Sequence, residues 1–565
     1  MQNLTSYNHI THNLNPIQAL RRLTKHTFST ISYMILPIFF VLSGYGSAYA
    51  GDFTCSSTET ISSSPTTHKA YTDDSSSHNC LIINSGVTVT GKTNDQYGVY
   101  NNSNYTTITN KGTIETNNTT DPQNGISSYY NLKVINTGTI GKTGAGNTNT
   151  INGILSDGTA VIENSGTIKG TKRSIVSAGI GSTVTNESGG TLTGKVILSG
   201  SSTQSAGQNW GTLNLQTGST LAGDVKFGVG SGQYGDNDPD ILGEGGDSDV
   251  RYRPGTVNIS GDTWSSGELY MVGATSSGTH YGLVKLTGTG SPKVPTYSDV
   301  TKNIVTEINM DSSSNTTGAK DIKYKNTGNE VKLTMGKLDG DIKFRNSNDT
   351  ANAAGTVNVG AGTLVSGHAI HMDSGTINLN TGATAVPAVA NTSSDNTLNF
   401  NLGSGSTLTT DSVNQRANEA ATKLISTVGL VSGTLDGDIK FQDSSSNNLS
   451  GTVDIGDGST SGTLSGSIFM NGGTINLKTA GATVPAIDSS TTDTTIDIQV
   501  GAGNSTAASN IQFENTGNTA TLTSGTLDGD IKFRNSGDTA NAAGTVNVGA
   551  GTLVSGHAIH MDSGT

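Results

Sequence analysis

One stretch of this chain is written almost twice. Residues 338–376 read LDGDIKFRNSNDTANAAGTVNVGAGTLVSGHAIHMDSGT, and residues 527–565 repeat them with a single change, Asn348 to Gly537. A diverged copy lies between, at 435–474. A long chain would ordinarily suggest several domains, but self-similarity at a period of about 95 residues implies a repeat architecture instead. The near-identical copy at 527–565 stops where the first runs on as Ile377-Asn378-Leu379. The expectation is therefore an N-terminal fragment of a longer protein.

A shorter period lies within the longer one. The pattern apolar-x-Asn-x-Gly-Thr-Ile occurs as Ile108-Thr-Asn-Lys-Gly-Thr-Ile114, Val134-Ile-Asn-Thr-Gly-Thr-Ile140 and Ile162-Glu-Asn-Ser-Gly-Thr-Ile168. A looser copy spans 184–192. Successive Gly-Thr steps fall at 112, 138, 166 and 190, a spacing that suits one coil of a solenoid. Runs such as Thr-Val-Asn-Val and Asp-Ile-Lys-Phe alternate apolar with polar residues, so one face of each strand must be buried. A lone strand cannot do this. Stacked coils can, each about 4.8 Å from the last, with Val and Ile laddered inside. The expected fold is all-β, a right-handed parallel β-helix. Asn110, Asn136, Asn164 and Asn186 are expected to be structural corners that bond the next coil.

Composition supports this reading. Glycine numbers 75 residues, aromatics are 5% and charged residues 13%, with Thr, Ser and Asn making up the balance. Such a mix could mean disorder, but the apolar residues alternate in short runs rather than scattering.

The N-terminus reads as a targeting segment. Arg21, Arg22 and Lys25 precede an apolar run at 31–42, shorter than the ~20 residues a membrane span needs. Ser47-Ala48-Tyr49-Ala50 offers small residues for cleavage after Ala50. The formal charge is −13, and loss of the basic leader would make the remainder more acidic. That balance argues against nucleic-acid partners, which need a basic footprint. Export fits the two cysteines, Cys55 and Cys80, which an oxidising compartment would let pair. With His68 and His78 between them a metal site is conceivable, but the spacing is not that of a ligand set. The expected organisation is a signal peptide at 1–50, a cap at 51–80 and β-helix at 81–227. An acidic, Gly-rich insertion follows at 228–254, then β-helix at 255–335 and the long repeats at 336–565.

Candidate chemistry is sparse. Gly246-Asp247-Ser248 resembles the nucleophile loop of chymotrypsin-like proteases, but Asp249 replaces the glycine that loop needs. Asp236, Asp238, Asp240, Glu244, Asp247 and Asp249 form the candidate binding loop. They could gather calcium but lack EF-hand or nonapeptide spacing, so no metal is expected. His368 and His371, at i and i+3 of a strand, are expected to point to opposite faces. The Asp-Gly-Asp triplets at 339–341, 436–438 and 528–530 read as a repeated corner rather than the single cleft of a polysaccharide lyase. No catalytic residue and no cofactor is expected.

Taken together, the leader, the Asn-x-Gly-Thr repeats and the Gly-, Thr- and Asn-rich solenoid resemble the passenger of a bacterial type V autotransporter. That resemblance implies export to the cell surface or outer membrane. It also implies an outer-membrane β-barrel translocator as partner, and adhesion or aggregation through a host or bacterial surface ligand. A secreted polysaccharide-degrading enzyme on the same scaffold is the alternative.

Overall fold

The computed structural model describes residues 53–565 apart from interruptions, the longest being 72–78, 142–149, 200–208, 230–250, 380–387, 417–426, 443–450, 479–485 and 501–509. The leader, with Ala50, and the six acidic residues of the candidate loop lie outside the described residues. Among the described residues the chain is all-β and winds as a parallel solenoid.

The leading strand of each coil pairs in parallel with that of the next, from Ser57–Ile61 to Gly544–Val548. Alternation decides which face goes in. In Leu132–Asn136, Leu132, Val134 and Asn136 are fully buried while Lys133 and Ile135 are half-buried on the outer face. Register then carries each inward residue onto its counterpart: Ile108 on Val134, Val134 on Ile162, and Ile162 on Val184. These ladders form one continuous apolar core along the coils, in which each fully buried Val, Leu or Ile contributes about 1.5–3 kcal/mol of burial.

The recurring asparagines end these strands inside the tube. Asn110, Asn136, Asn164 and Asn186 are fully buried. Each side-chain amide donates to the carboxamide oxygen of the next, at 2.7 Å in all three steps. Each also reaches a backbone carbonyl one coil on: Thr139, Thr167, Thr191 and Thr220 respectively. Buried amides are tolerated only when bonded this fully. The adjoining Gly-Thr step stacks closely, since a Cβ on Gly138 would sit 2.0 Å from the Gly112 carbonyl oxygen. The polar ladder stops at Asn186, which registers with Leu215. From there the same position is apolar, through Ile259, Leu286 and Ile308.

A second core ladder is aromatic. The Tyr297 and Tyr324 rings pack at 4.8 Å with a 48° tilt, and Tyr324 and Phe344 at 5.6 Å with a 35° tilt. The hydroxyl of Tyr324 donates to Thr306 Oγ1 at 2.6 Å, and the Tyr297 hydroxyl shares a 2.7 Å hydrogen bond with that same Thr306 Oγ1. Burial raises both phenols well above the ordinary tyrosine range. At the first coil, Cys55 and Cys80 are joined by a disulfide. Cys80 lies within Asn79–Ile83, which pairs with Ser57–Ile61, so the bridge fastens the opening rung.

Candidate functional site

The 228–254 insertion is not an isolated feature. Its mouth is an antiparallel pair, Gly228 opposite Tyr252 and Val229 opposite Arg251, formed by the end of the strand Val225–Val229. The Arg253 N–H donates to the Phe227 carbonyl. The long repeats do the same on a smaller scale. Arg345 pairs antiparallel with Asn352 and Arg534 with Asn541, while Ala353 and Ala542 donate to the carbonyls of Phe344 and Phe533. These three Lys-Phe strands thus end in hairpins at the same corner. The insertion is the long member of this row.

The short hairpin at 345–352 is well held. The Arg345 guanidinium donates to Asn352 Oδ1 at 2.7 Å and to Asp349 Oδ1 at 3.2 Å, and Lys323 pairs with Asp349. The Lys323 ammonium, aided by Arg345, outweighs burial and lowers the Asp349 carboxyl. Asp349 sits at φ 56°, a left-handed conformation that Asp tolerates better than most residues.

At the other end of the Ile342–Phe344 strand lies the Asp-Gly-Asp corner, where the histidines gather. His368 Nε2 is 3.1 Å from Asp339 Oδ1, and its Nδ1 is 3.1 Å from Asp341 Oδ1. His371 Nε2 lies 3.4 Å from the other oxygen of Asp341. The two imidazoles therefore converge on one carboxylate, contrary to the divergence expected from strand alternation. The reason is local: the strand begins at Ala369, so His368 belongs to the preceding corner and alternation does not govern it. The last repeat is built alike, with His557 against Asp528 at 2.8 Å and Asp530 at 3.2 Å, and His560 against Asp530 at 3.3 Å.

This corner also pins one coil to the next through its backbone. Asp341 Oδ1 accepts from the Ala369 N–H and Asp530 Oδ1 from the Ala558 N–H, both at 3.0 Å. Asp224 accepts likewise from Glu268 N–H. Burial works to raise the Asp341 carboxyl, but the Ala369 N–H, Lys343 and His368 outweigh it and hold it at about 2. Burial likewise works to lower His368, yet Asp341 and Asp339 raise it; His371 is lowered, chiefly by its own burial.

Asp321, Asp341 and His368 bring three potential metal-ligand atoms within 4.8 Å of one another. The Lys343 ammonium already lies 2.5 Å from Asp321 Oδ2 and 3.0 Å from Asp341 Oδ2. In the last repeat Asn510 stands where Asp321 stands here, accepting from Asp530 N–H as Asp321 does from Asp341 N–H. A lysine inside the donor set and an amide in the second copy suit a coil-to-coil clasp better than a cation site.

A further stripe on the outside of the coils was not read from the sequence. Register aligns Tyr100, Ser127, Leu155, Val176, Ile197, Lys226 and Tyr270 on successive rungs. Val176 and Ile197 are fully buried although they face away from the core, and Leu155 and Tyr252 pack against them. The Lys226 ammonium lies 4.6 Å from the Tyr270 ring centre. The usable signal was the broken alternation in Ile175-Val176 and Val196-Ile197-Leu198, the mark of a strand covered on both faces. Tyr252, at the mouth of the long hairpin, supplies part of that cover.

No family model matches the chain, and no curated protein or solved structure is significantly similar to it.

Proposed function

We propose that this chain is an exported passenger of the autotransporter type, a surface-displayed stalk that presents its hairpins for attachment or aggregation. The observation that carries the reading is the row of hairpins at one corner of a continuous parallel solenoid. A rigid tube with loops repeated on one flank is the arrangement solenoids use for extended contact surfaces. The conserved shape of the Asp-His corner in two repeats fits a structural clasp. An enzyme would need one unrepeated cleft with convergent acid and base, so the proposed role is non-catalytic. The expected partners are a β-barrel translocator and a surface ligand.

The test displays residues 51–565 on a non-adherent cell, beside a version with 230–250 replaced by a short turn. Gain of attachment or self-aggregation by the first, and its reduction in the second, would support the reading. No gain over bare cells would sink it. Cleavage of acidic glycans by the purified chain would favour a polysaccharide-degrading enzyme instead.

A further inference from the structure

Few large apolar side chains are exposed among the described residues, and two of them are neighbours: Tyr129 is 52% exposed and Tyr130 39%. They occupy the turn that follows the strand Gln123–Ser128. Behind them lies more aromatic surface. Tyr100 meets Tyr129 edge-on at 5.8 Å and stacks with Tyr97 at 5.3 Å. Three phenols therefore abut in a run across two coils, with Tyr130 beside them.

The next coil places a carboxylate there. Ser128 registers with Ser156, so Asp157 takes the turn position one rung above Tyr129, at the ~4.8 Å strand spacing. Its backbone N–H donates to Ser128 O at 2.8 Å, which fixes the step. Gly158, the counterpart of Tyr130, lies against the Tyr130 backbone. Asp157 Oδ1 is buried and accepts no hydrogen bond. Asp157 takes part in none of the ion pairs formed among the described residues. A carboxylate half withdrawn from water with no countercharge is a costly arrangement.

We propose that Tyr129, Tyr130 and Asp157, backed by Tyr100, form a docking surface for a cationic side chain, a lysine or arginine presented by a basic segment of a partner protein. The ring faces offer the negative side of their quadrupoles and the carboxylate supplies the countercharge. Charge selects the occupant: an anionic ligand would meet like charge, and a net charge of −13 draws basic partners to the chain as a whole. Burial raises the Asp157 carboxyl, and it raises the Tyr100 phenol, with Tyr129, Asp157 and Tyr130 adding to the effect. A bound cation would reverse both.

The test titrates the full chain with a lysine decapeptide, and separately with tetramethylammonium, at physiological ionic strength, where general charge attraction is screened beyond about 8 Å. The variants are the double substitution Tyr129→Ala with Tyr130→Ala, Asp157→Asn, and the exposed Asp299→Asn as a charge-matched control. Peptide affinity is expected to fall at least tenfold in the first two and less than twofold in the control. Tetramethylammonium is expected to shift the Tyr129 and Tyr130 ring resonances of the native chain. Equal affinity in all variants, or an equal fall in the control, would overturn the proposal. So would maltohexaose binding that depends on Tyr129 while peptide binding does not. Should the alanine pair misfold, Tyr129→Leu with Tyr130→Leu keeps the bulk and removes the rings, with the same tenfold fall expected.

Discussion

The Phe344 ring fills the space in which Gly355 would carry a side chain: a Cβ there would sit 2.4 Å from the ring's Cδ1. The pair recurs as Phe227 with Gly255 at 2.1 Å, Phe441 with Gly451 at 2.3 Å, and Phe533 with Gly544 at 2.3 Å. In all four places a Lys-Phe strand is thus matched to the glycine that opens the next leading strand. Gly355→Ala forces one or the other to move and is expected to destabilise by about 1–3 kcal/mol, as overpacking does. Combining it with Phe344→Leu should cost less than the sum of the two changes. Chemical denaturation of the four proteins checks this, and strict additivity would refute it.

Removing one rung of the asparagine ladder leaves unmet partners on both sides. Asn136→Ala strips the acceptor from Asn110 and the donor from Asn164. A loss of about 2–4 kcal/mol is expected, since each orphaned buried polar group costs about 1–3 kcal/mol. Asn258→Ala, on the half-buried outer face, where Asn258 donates to Asn214, should cost under about 1 kcal/mol. Comparable melting temperatures for the two variants would contradict the ladder's role.

The Asp-His clasp should respond to pH with a defined sign. His368 is raised by Asp341 and Asp339 against its burial. Its stabilising effect is therefore complete below the unfolded value near 6.5 and fades as pH rises through the folded one. Asp341 is held at about 2, so its contribution is present above the ordinary carboxylate value and is lost as pH falls towards 2. The clasp is strongest between about pH 4 and 6.5. The melting-temperature gap between the native chain and His368→Gln should be widest near pH 5 and narrow by pH 8. The expected size is modest, at most about 1 kcal/mol for groups this accessible. His371, lowered by burial, titrates in the opposite sense and is common to both proteins. A gap that stays flat across this range would argue against the clasp.

Reducing the Cys55–Cys80 bridge, which closes a separation of 25 residues, should cost about 3 kcal/mol by the loop-entropy estimate. In a nearest-neighbour stack the damage stays local. Hydrogen exchange should quicken in Ser57–Ile61 and Asn79–Ile83 while Leu132–Asn136 keeps its protection. Uniform loss along the chain would show that the first rung governs the whole.

The tube was legible because its determinants are local and periodic. Alternating Val and Ile with a recurrent Gly-Thr step leave few other ways to bury one strand face. The asparagines declared themselves by returning at the same place in each coil. What escaped depended on where strands stop and on which residues meet across coils. Whether His368 obeys alternation turns on one residue of strand boundary. The hairpin at Arg345 and Asn352 is flanked by Ser, Asn and Asp that suit any turn. Tyr129 and Asp157 are separated in sequence by an entire coil, so their adjacency exists only once register is known.

Because each rung binds only its neighbours, residues 338–376 and 527–565 are interchangeable parts of the stack. A crossover between their coding sequences would delete two long repeats, the diverged copy at 435–474 included, and rejoin equivalent positions. The strands on either side would then meet partners in register, with the Phe-Gly packing kept. Reach is then a quantity that lineages can tune in whole steps, lengthening or shortening the protein without redesigning its interior.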